Sequence, residues 1–252
     1  MFKIITAHNN RFKELASYNI PIIKNYCEYY GYSYQIYEIP DDYPRPAAWS
    51  KIDYLIQETN NRPNQYTLWI DADAIILRHD IDLWSFIKPE KYLYLSKDDN
   101  SINTGVFLIK NNGIIKKLLE QAWSMTQYLN HNWWEQAAII DLVNNDYLSI
   151  NKYIEYIPRN IFNAHNDCIT DSSFIGHFPL PFLEKRIYDV KKYSTKYQYQ
   201  NIKKYAINNT EELLNLTQSW MKLNNLCLLT KDKYLISLSE KMYYHLLFKS
   251  ID

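Results

Sequence analysis

Leu68-Trp69-Ile70-Asp71-Ala72-Asp73-Ala74-Ile75-Ile76-Leu77 is the stretch on which the reading of this chain turns. An apolar run enters, two carboxylates stand two residues apart, and the apolar run resumes. Side chains at i and i+2 of extended backbone point the same way. Asp71 and Asp73 are therefore expected to project together from the end of a buried strand. Two like charges at the edge of a core are costly without a positive partner. A divalent cation meets that need, because hard oxygen ligands suit Mg²⁺ or Mn²⁺. The same short pattern also fits a plain strand end whose carboxylates are solvated or cap the next element.

Upstream, residues 2–8 form a short apolar strand that ends at Asn9-Asn10, two natural helix caps. Helical spacing runs through Phe12, Leu15, Ile22, Tyr26 and Tyr30. Pro21 is expected to kink or divide that helix, and Gly31 to end it. A second strand, rich in Tyr and Ile, covers 33–39, and the Pro content of 40–46 marks a loop. Residues 47–60 place Trp49, Ile52, Leu55 and Ile56 on one helix face, and 66–70 form the central strand. This alternation is the rhythm of an α/β sheet with right-handed crossovers. Ligands of such sheets bind beyond the carboxyl ends of the strands. The His8-Asn9 turn and the Asp pair both fall at such ends.

Downstream, the pattern predicts a short helix at 83–87 and a strand at 92–96. Asn103-Thr104-Gly105 reads as a tight turn feeding a strand to Lys110. Helices follow at 113–128 and 133–143, and a final core strand at 173–178. Residues 185–204 are polar, rich in Lys and Tyr, and poorly periodic. Two further helices are expected, one capped by Thr210 over 210–223, the other over 231–249 with Leu235, Leu238, Met242 and Leu246 as an apolar stripe. The chain thus divides into a catalytic-type α/β domain, 1–184, and a helical C-terminal extension, 185–252.

Composition narrows the function classes. With 252 residues, 47% of them hydrophobic, the chain can bury one sizeable core. Lys+Arg and Asp+Glu are 28 each, and zero net charge argues against bulk nucleic-acid binding. The 24 Tyr fit a carbohydrate-binding surface, but abundant Asn, Lys and Ile favour a general compositional habit. Cys27, Cys168 and Cys227 are far apart and odd in number, as expected of reduced, structural cysteines. No stretch approaches the ~20 apolar residues that span a bilayer. The strand-like start leaves no place for a signal peptide, so the cytoplasm is the expected setting.

Several separated pieces resemble one family: Asn25-Tyr26-Cys27 through Gly31-Tyr32, Trp49-Ser50-Lys51, Trp69 to Ala74, Asn103 to Ile109, Glu135-Gln136-Ala137 and Gly176-His177-Phe178. In that order they resemble nucleotide-sugar glycosyltransferases of the GT-A fold, a Rossmann-like mixed sheet flanked by helices. The nearest group is the retaining galactosyl-, mannosyl- and xylosyltransferases, with a more distant likeness to the glycogenin and bacterial galactosyltransferase family. The likeness covers about residues 1–182. It implies a metal-dependent transfer from a nucleoside diphosphate sugar, a UDP-sugar, to a glycan or glycolipid acceptor, with retention at the anomeric carbon.

The resemblance also implies roles. Asp71, Asp73 and His177 would hold Mn²⁺ or Mg²⁺, which stabilises the leaving diphosphate as a Lewis acid. Thr6, Ala7, His8 and Asn9 would hold the base and ribose. Lys51, together with Asp71, would meet the donor, although an ordinary exposed helix lysine is an equal reading. Asn103, Thr104 and Gly105 would line the donor sugar, with Gly105 allowing close backbone approach. Glu135 and Gln136 are the catalytic candidates, Glu135 as a nucleophile or Gln136 as support for same-face attack. A plain helix start with Glu135 favoured by the dipole is the other reading. Relatives place Gly and Lys shortly after the metal-binding His. Phe178 to Glu184 contains neither, and Lys185 and Arg186 are the substitutes. The Lys- and Tyr-rich C-terminal region could contact an anionic membrane. Two rivals share these features: a toxin-like protein glycosyltransferase and a non-catalytic carbohydrate-binding domain.

Overall fold

The computed structural model describes residues 1–99 and 101–208. Two compact units divide the chain, Met1–Tyr197 and Gln198–Asp252. In chain order the elements are β1 (Phe2–His8), α1 (Lys13–Tyr30), β2 (Ser33–Glu38), α2 (Ser50–Asn61), β3 (Tyr66–Ile70), β4 (Ala74–Ile76) and β5 (Leu93–Lys97). They continue with β6 (Ile102–Lys110), α3 (Gly113–Ser124), α4 (Trp134–Asn144), β7 (Ile154–Tyr156), α5 (Arg159–Phe162), β8 (Ile175–His177) and α6 (Leu183–Asn208). Short 3-10 turns link several of them, notably Asn10–Phe12 and Ala47–Trp49.

Six strands form one sheet in the order β2-β1-β3-β6-β5-β7. The pairings β1·β2, β1·β3 and β5·β7 are parallel, while β6 runs antiparallel to both its neighbours. A two-residue side-chain period divides the apolar residues between the sheet's faces. Phe2 and Ile4 of β1, Leu68 and Ile70 of β3, and Val106 and Leu108 of β6 pack with Leu15, Ile22 and Tyr26 of α1. On the other face, Ile5, Trp69, Phe107 and Ile109 pack with Ile52 and Leu55 of α2, Leu118 of α3 and Leu142 of α4. Each fully buried Leu or Ile contributes about 1.5–3 kcal/mol through loss of wet apolar surface. The loops at the strands' carboxyl ends are thereby set on a rigid base.

Several expectations need correction. Pro21 does not divide α1, which runs on through it. Pro21 and Ser17, four residues earlier, are both exposed, so the carbonyl that proline leaves unbonded faces water. Asn103, Thr104 and Gly105 are not a turn before the strand but buried positions within β6. The strand near 173–178 is not in the main sheet: β8 pairs with β4 in a separate two-stranded ladder. The stretch read as irregular from 185 onward is helical in α6. The first unit runs on to Tyr197, with Val190 buried in its core. The helices expected over 210–223 and 231–249 lie outside the described residues. Among the described residues no helix is long and apolar enough to cross a membrane.

Candidate functional site

At the end of β3 the backbone folds back rather than staying extended. Asp71 N donates to Gly105 O at 2.8 Å, and Ala74 N closes a turn onto Asp71 O at 2.9 Å. Strand alternation therefore does not align the two carboxylates as expected; a turn sends them to different partners. Asp71 is half-buried, accepts from Trp69 Nε1, and lies 3.1 Å from Lys51 Nζ. Asp73 is buried, accepts from Arg186 Nη1 at 2.7 Å, and has Oδ1 3.3 Å from His177 Nε2. Burial opposes ionisation of Asp73, but His177 and Arg186 outweigh it and hold the carboxyl below the usual range.

His177 reaches this place through the small ladder. Ala74 lies opposite His177 and Ile75 opposite Gly176, and Phe178 N donates to Asp73 O at 3.0 Å. Hydrogen bonds fix the ring. Asn163 Nδ2 donates to Asn103 Oδ1 at 3.0 Å, which orients the Asn163 amide so that its Oδ1 accepts from His177 Nδ1 at 2.8 Å. That network assigns a ring proton to Nδ1, so Nε2 is the nitrogen that faces Asp73. Gly105 is pressed against the same ring: a Cβ there would sit 2.0 Å from His177 Cε1. Its lack of a side chain makes room for His177.

One ligand atom from each of Asp71, Asp73 and His177 lies within 4.8 Å of the others. Cis ligands of an octahedral ion with bonds of about 2.1 Å stand about 3 Å apart. The 3.3 Å between Asp73 Oδ1 and His177 Nε2 matches that spacing. Two carboxylates with one imidazole form an oxygen–nitrogen set suited to Mn²⁺ or Mg²⁺. The three residues form a ligand set that could hold a divalent cation.

Beside this group lies a second charged cluster, centred on the buried Lys51 and Glu135. Lys51 is buried, not the exposed helix lysine that was an equal reading. Its Nζ bonds Thr104 O at 2.9 Å and Glu135 Oε1 at 2.9 Å as well as Asp71. Burial works against the Lys51 charge, and Asp71 and Glu135 more than restore it, so its pKa is raised. Burial raises the Glu135 carboxyl, with Lys51 acting against it. Glu135 sits in the first turn of α4, as the dipole favours, yet its carboxylate points inward to Lys51. Gln136 Oε1 accepts from Thr104 N at 3.0 Å. The cluster ties α2, β3, β6 and α4 together at one point.

Both clusters open into a cavity of about 1100 Å³ at the carboxyl ends of β1 and β3. Ala7, His8, Asn9, Lys51, Asp71, Asp73, Asn103, Thr104, Gly105, Glu135, Gln136 and His177 all line it. Thr6 and Lys185 do not; Thr6 is enclosed in β1 with an unpartnered Oγ1, and Arg186 rather than Lys185 turns inward. Sequence reasoning missed Asn163, Arg159 and His165, the last two also lining the cavity. His165 stands edge-on to His177 with ring centroids 5.5 Å apart, and burial pushes it down to about 4. No motif marks these three residues. An Asn buried without a motif, close behind a catalytic-type His, is visible only once β8 is placed.

Comparison with known proteins bears on this geometry. Residues 88–178 match the galactosyl transferase GMA12/MNN10 family. An uncharacterized alpha-1,2-galactosyltransferase of Schizosaccharomyces pombe is 24% identical over 204 residues, 64% of this chain and 54% of that protein. The chain spans about half the length of that relative. A glycosyltransferase involved in the glycosylation of the major capsid of PBCV-1 superposes with a TM-score of 0.62 at 16% identity, over 76% of this chain and 98% of that one. The chain has the GT-A glycosyltransferase fold. The galactosyltransferase LgtC, solved with donor and acceptor sugar analogs, shares it with a TM-score of 0.52 at 10% identity, over 78% of this chain and 95% of that one. The mixed sheet with β6 reversed is thus the GT-A sheet that the sequence motifs implied. The matched segment 88–178 carries Asn103, Glu135, Gln136 and His177 of the cavity.

Proposed function

We propose that the chain is a metal-dependent glycosyltransferase that moves a sugar from a UDP-sugar or related donor to a glycan or glycolipid acceptor, with retention of configuration. The convergence of Asp71, Asp73 and His177 at one point of the cavity carries this reading. When bound, Mn²⁺ or Mg²⁺ supplies Lewis-acid neutralisation of the charge that builds on the departing diphosphate.

The chain's own residues have separable tasks in this reading. Ala7, His8 and Asn9 receive the base and ribose, with Thr6 supporting their turn from within β1. Arg186, paired with Asp73 at 2.7 Å, supplies positive charge to the diphosphate, a task the sequence had offered to Lys185 and Arg186 together. Asn103, Thr104 and Lys51 hold the donor sugar's edge. Glu135 is held by Lys51 and by Thr104 Oγ1 at 3.3 Å through the same oxygen, Oε1. Such a carboxylate is neutralised by its ammonium and poorly placed to be a nucleophile, which favours same-face attack. The acceptor hydroxyl oxygen then forms its bond to the anomeric carbon as the bond to the diphosphate oxygen breaks. The hydroxyl proton passes to the departing phosphate. Gln136 supports the positive charge that develops on the sugar. A cytoplasmic setting, with peripheral membrane contact where the acceptor is lipid-linked, belongs to the same proposal.

A Mn²⁺-dependent hydrolysis screen across nucleotide sugars tests it. One donor is expected to be hydrolysed, with activity lost in EDTA. Asp73→Asn is expected to lower it by about 100-fold while the protein stays folded, since Arg186 keeps water as a partner. Full turnover by that variant in EDTA would remove the metal assignment. NMR of the glycosidic product reads retention directly.

A further inference from the structure

Two tryptophans of the cavity have no task in the chemistry above. Trp133 and Trp134 leave 42% and 45% of their surfaces open, and both line the cavity. Trp49 and Trp69, by contrast, are buried in the core of the sheet's second face. The backbone at Trp134 is also unusual, with φ at 41°. A large side chain in the left-handed region costs about 1–3 kcal/mol and persists only where its surroundings impose it. Here Trp134 N donates to His131 O at 3.0 Å, Trp133 N to His131 Nδ1 at 3.1 Å, and Gln136 N to Trp133 O at 2.9 Å. The His131 ring stands 5.9 Å from that of Trp133. The turn is held in the strained form that sets two indoles at the rim and sends Glu135 and Gln136 to the floor.

We propose that Trp133 and Trp134 form the platform on which a sugar ring of the acceptor is seated. This rests on the glycosyltransferase reading and names the acceptor side of the same site. A pyranose is amphipathic: one face presents C–H groups, and its hydroxyls radiate from the edge. An indole face offers a broad apolar surface with a negative quadrupole, which matches the C–H face. Asn132, next along the rim, can meet a hydroxyl.

The geometry separates this platform from the nucleotide. Phe12 packs with the α1 face of the sheet, and the Arg186 guanidinium lies 5.8 Å over its ring. The apolar residues of α4 pack on the opposite face, as does Ala7 of β1, so the separation runs along the strand order rather than across the sheet. The Asp71–Asp73 turn at the end of β3 lies between β1, which carries the nucleotide turn, and β6, to which Gln136 is bonded. The indoles therefore belong to the sugar end of the cavity, beyond the diphosphate.

Saturation-transfer NMR with the methyl glycosides of galactose, glucose, mannose and xylose, in UDP and Mn²⁺, tests the platform. The wild type is expected to transfer saturation to the ring C–H protons of at least one glycoside. Trp133→Ala and Trp134→Gly, the latter suited to the positive φ, are expected to weaken that affinity about two- to tenfold with UDP affinity kept within twofold. Tyr188→Ala is the control, since Tyr188 is 66% exposed and does not line the cavity. Circular dichroism checks that each variant is folded. Equal glycoside binding by wild type and both Trp variants overturns the platform, as does a wild type that binds none of the four. Loss of UDP affinity in the Trp variants overturns it too, by giving the indoles to the base. A wild type that neither binds UDP with Mn²⁺ nor hydrolyses any nucleotide sugar would instead remove the glycosyltransferase reading.

Discussion

Replacing Gly105 by Ala adds one methyl group where the structure leaves no room. The new Cβ would lie 2.0 Å from His177 Cε1 and 2.6 Å from each ring nitrogen. Carbon atoms in good contact are about 3.5–4.0 Å apart, so the ring would have to retreat by about 1.5 Å. It has little freedom to do so. Nδ1 is bonded to Asn163, Nε2 faces Asp73, and the backbone is clamped opposite Ala74. Overpacking of this kind costs about 1–3 kcal/mol and the lost Asn163 bond about 1 more, together about 2–4 kcal/mol. A domain with about 5–15 kcal/mol of stability survives that loss. The larger consequence is functional. A misdirected imidazole is expected to weaken Mn²⁺ binding about 10- to 100-fold.

Urea unfolding and a Mn²⁺ titration read by electron paramagnetic resonance measure the two effects separately. Gly113→Ala is the matched control, because a Cβ there meets nothing within 4 Å. At the start of α3 it should be neutral or gain up to about 1 kcal/mol from helix propensity. If Gly105→Ala matches Gly113→Ala in both stability and Mn²⁺ affinity, the account of Gly105 as the seat of the His177 ring is wrong.

Other outcomes follow from the same geometry. Lys51→Met strands Asp71 and Glu135 without their cation and should cost about 3–5 kcal/mol in urea unfolding. Burial already raises the Glu135 pKa, so the folded state of that variant binds more protons than the unfolded one, and the loss should shrink as pH falls from 8 to 5; a loss that grows over that range would contradict the assignment. Asn163→Leu removes the group that accepts from His177 Nδ1 and should weaken Mn²⁺ binding about 10- to 100-fold, whereas an unchanged titration would discharge Asn163 from that task. Burial pushes the Cys27 thiol up to about 12. In a Cys168→Ser, Cys227→Ser background, Cys27 should therefore react with a thiol reagent only on unfolding, and rapid native-state labelling would contradict its placement.

Much of the frame was legible because it is periodic. The strands over 2–8 and 66–70 are readable as apolar runs, α1 as a stripe of Phe, Leu, Ile and Tyr, and α2 as one of Trp, Ile and Leu. The failures share a physical cause. β4 and β8 have three residues each, too few for any period, and their pairing is a long-range event that local pattern does not encode. α6 packs Leu183, Ile187, Val190 and Tyr193 on the core at helical spacing, a short stripe that the Lys- and Tyr-rich composition of 185–204 masks.

At the site, the residue types were legible but their relations were not. Lys51 on a helix reads as a solvated lysine until Glu135, distant in sequence, is known to lie 2.9 Å away. Gly105 was readable as a place for close approach, and the protein's own imidazole is packed there. A turn, not the alternation of extended backbone, brings Asp71 and Asp73 near one another, and the β4–β8 ladder carries His177 back to Asp73. A substitution that weakens this ladder, such as one at Ile75 or Gly176, would therefore disturb the ligand set without touching any ligand.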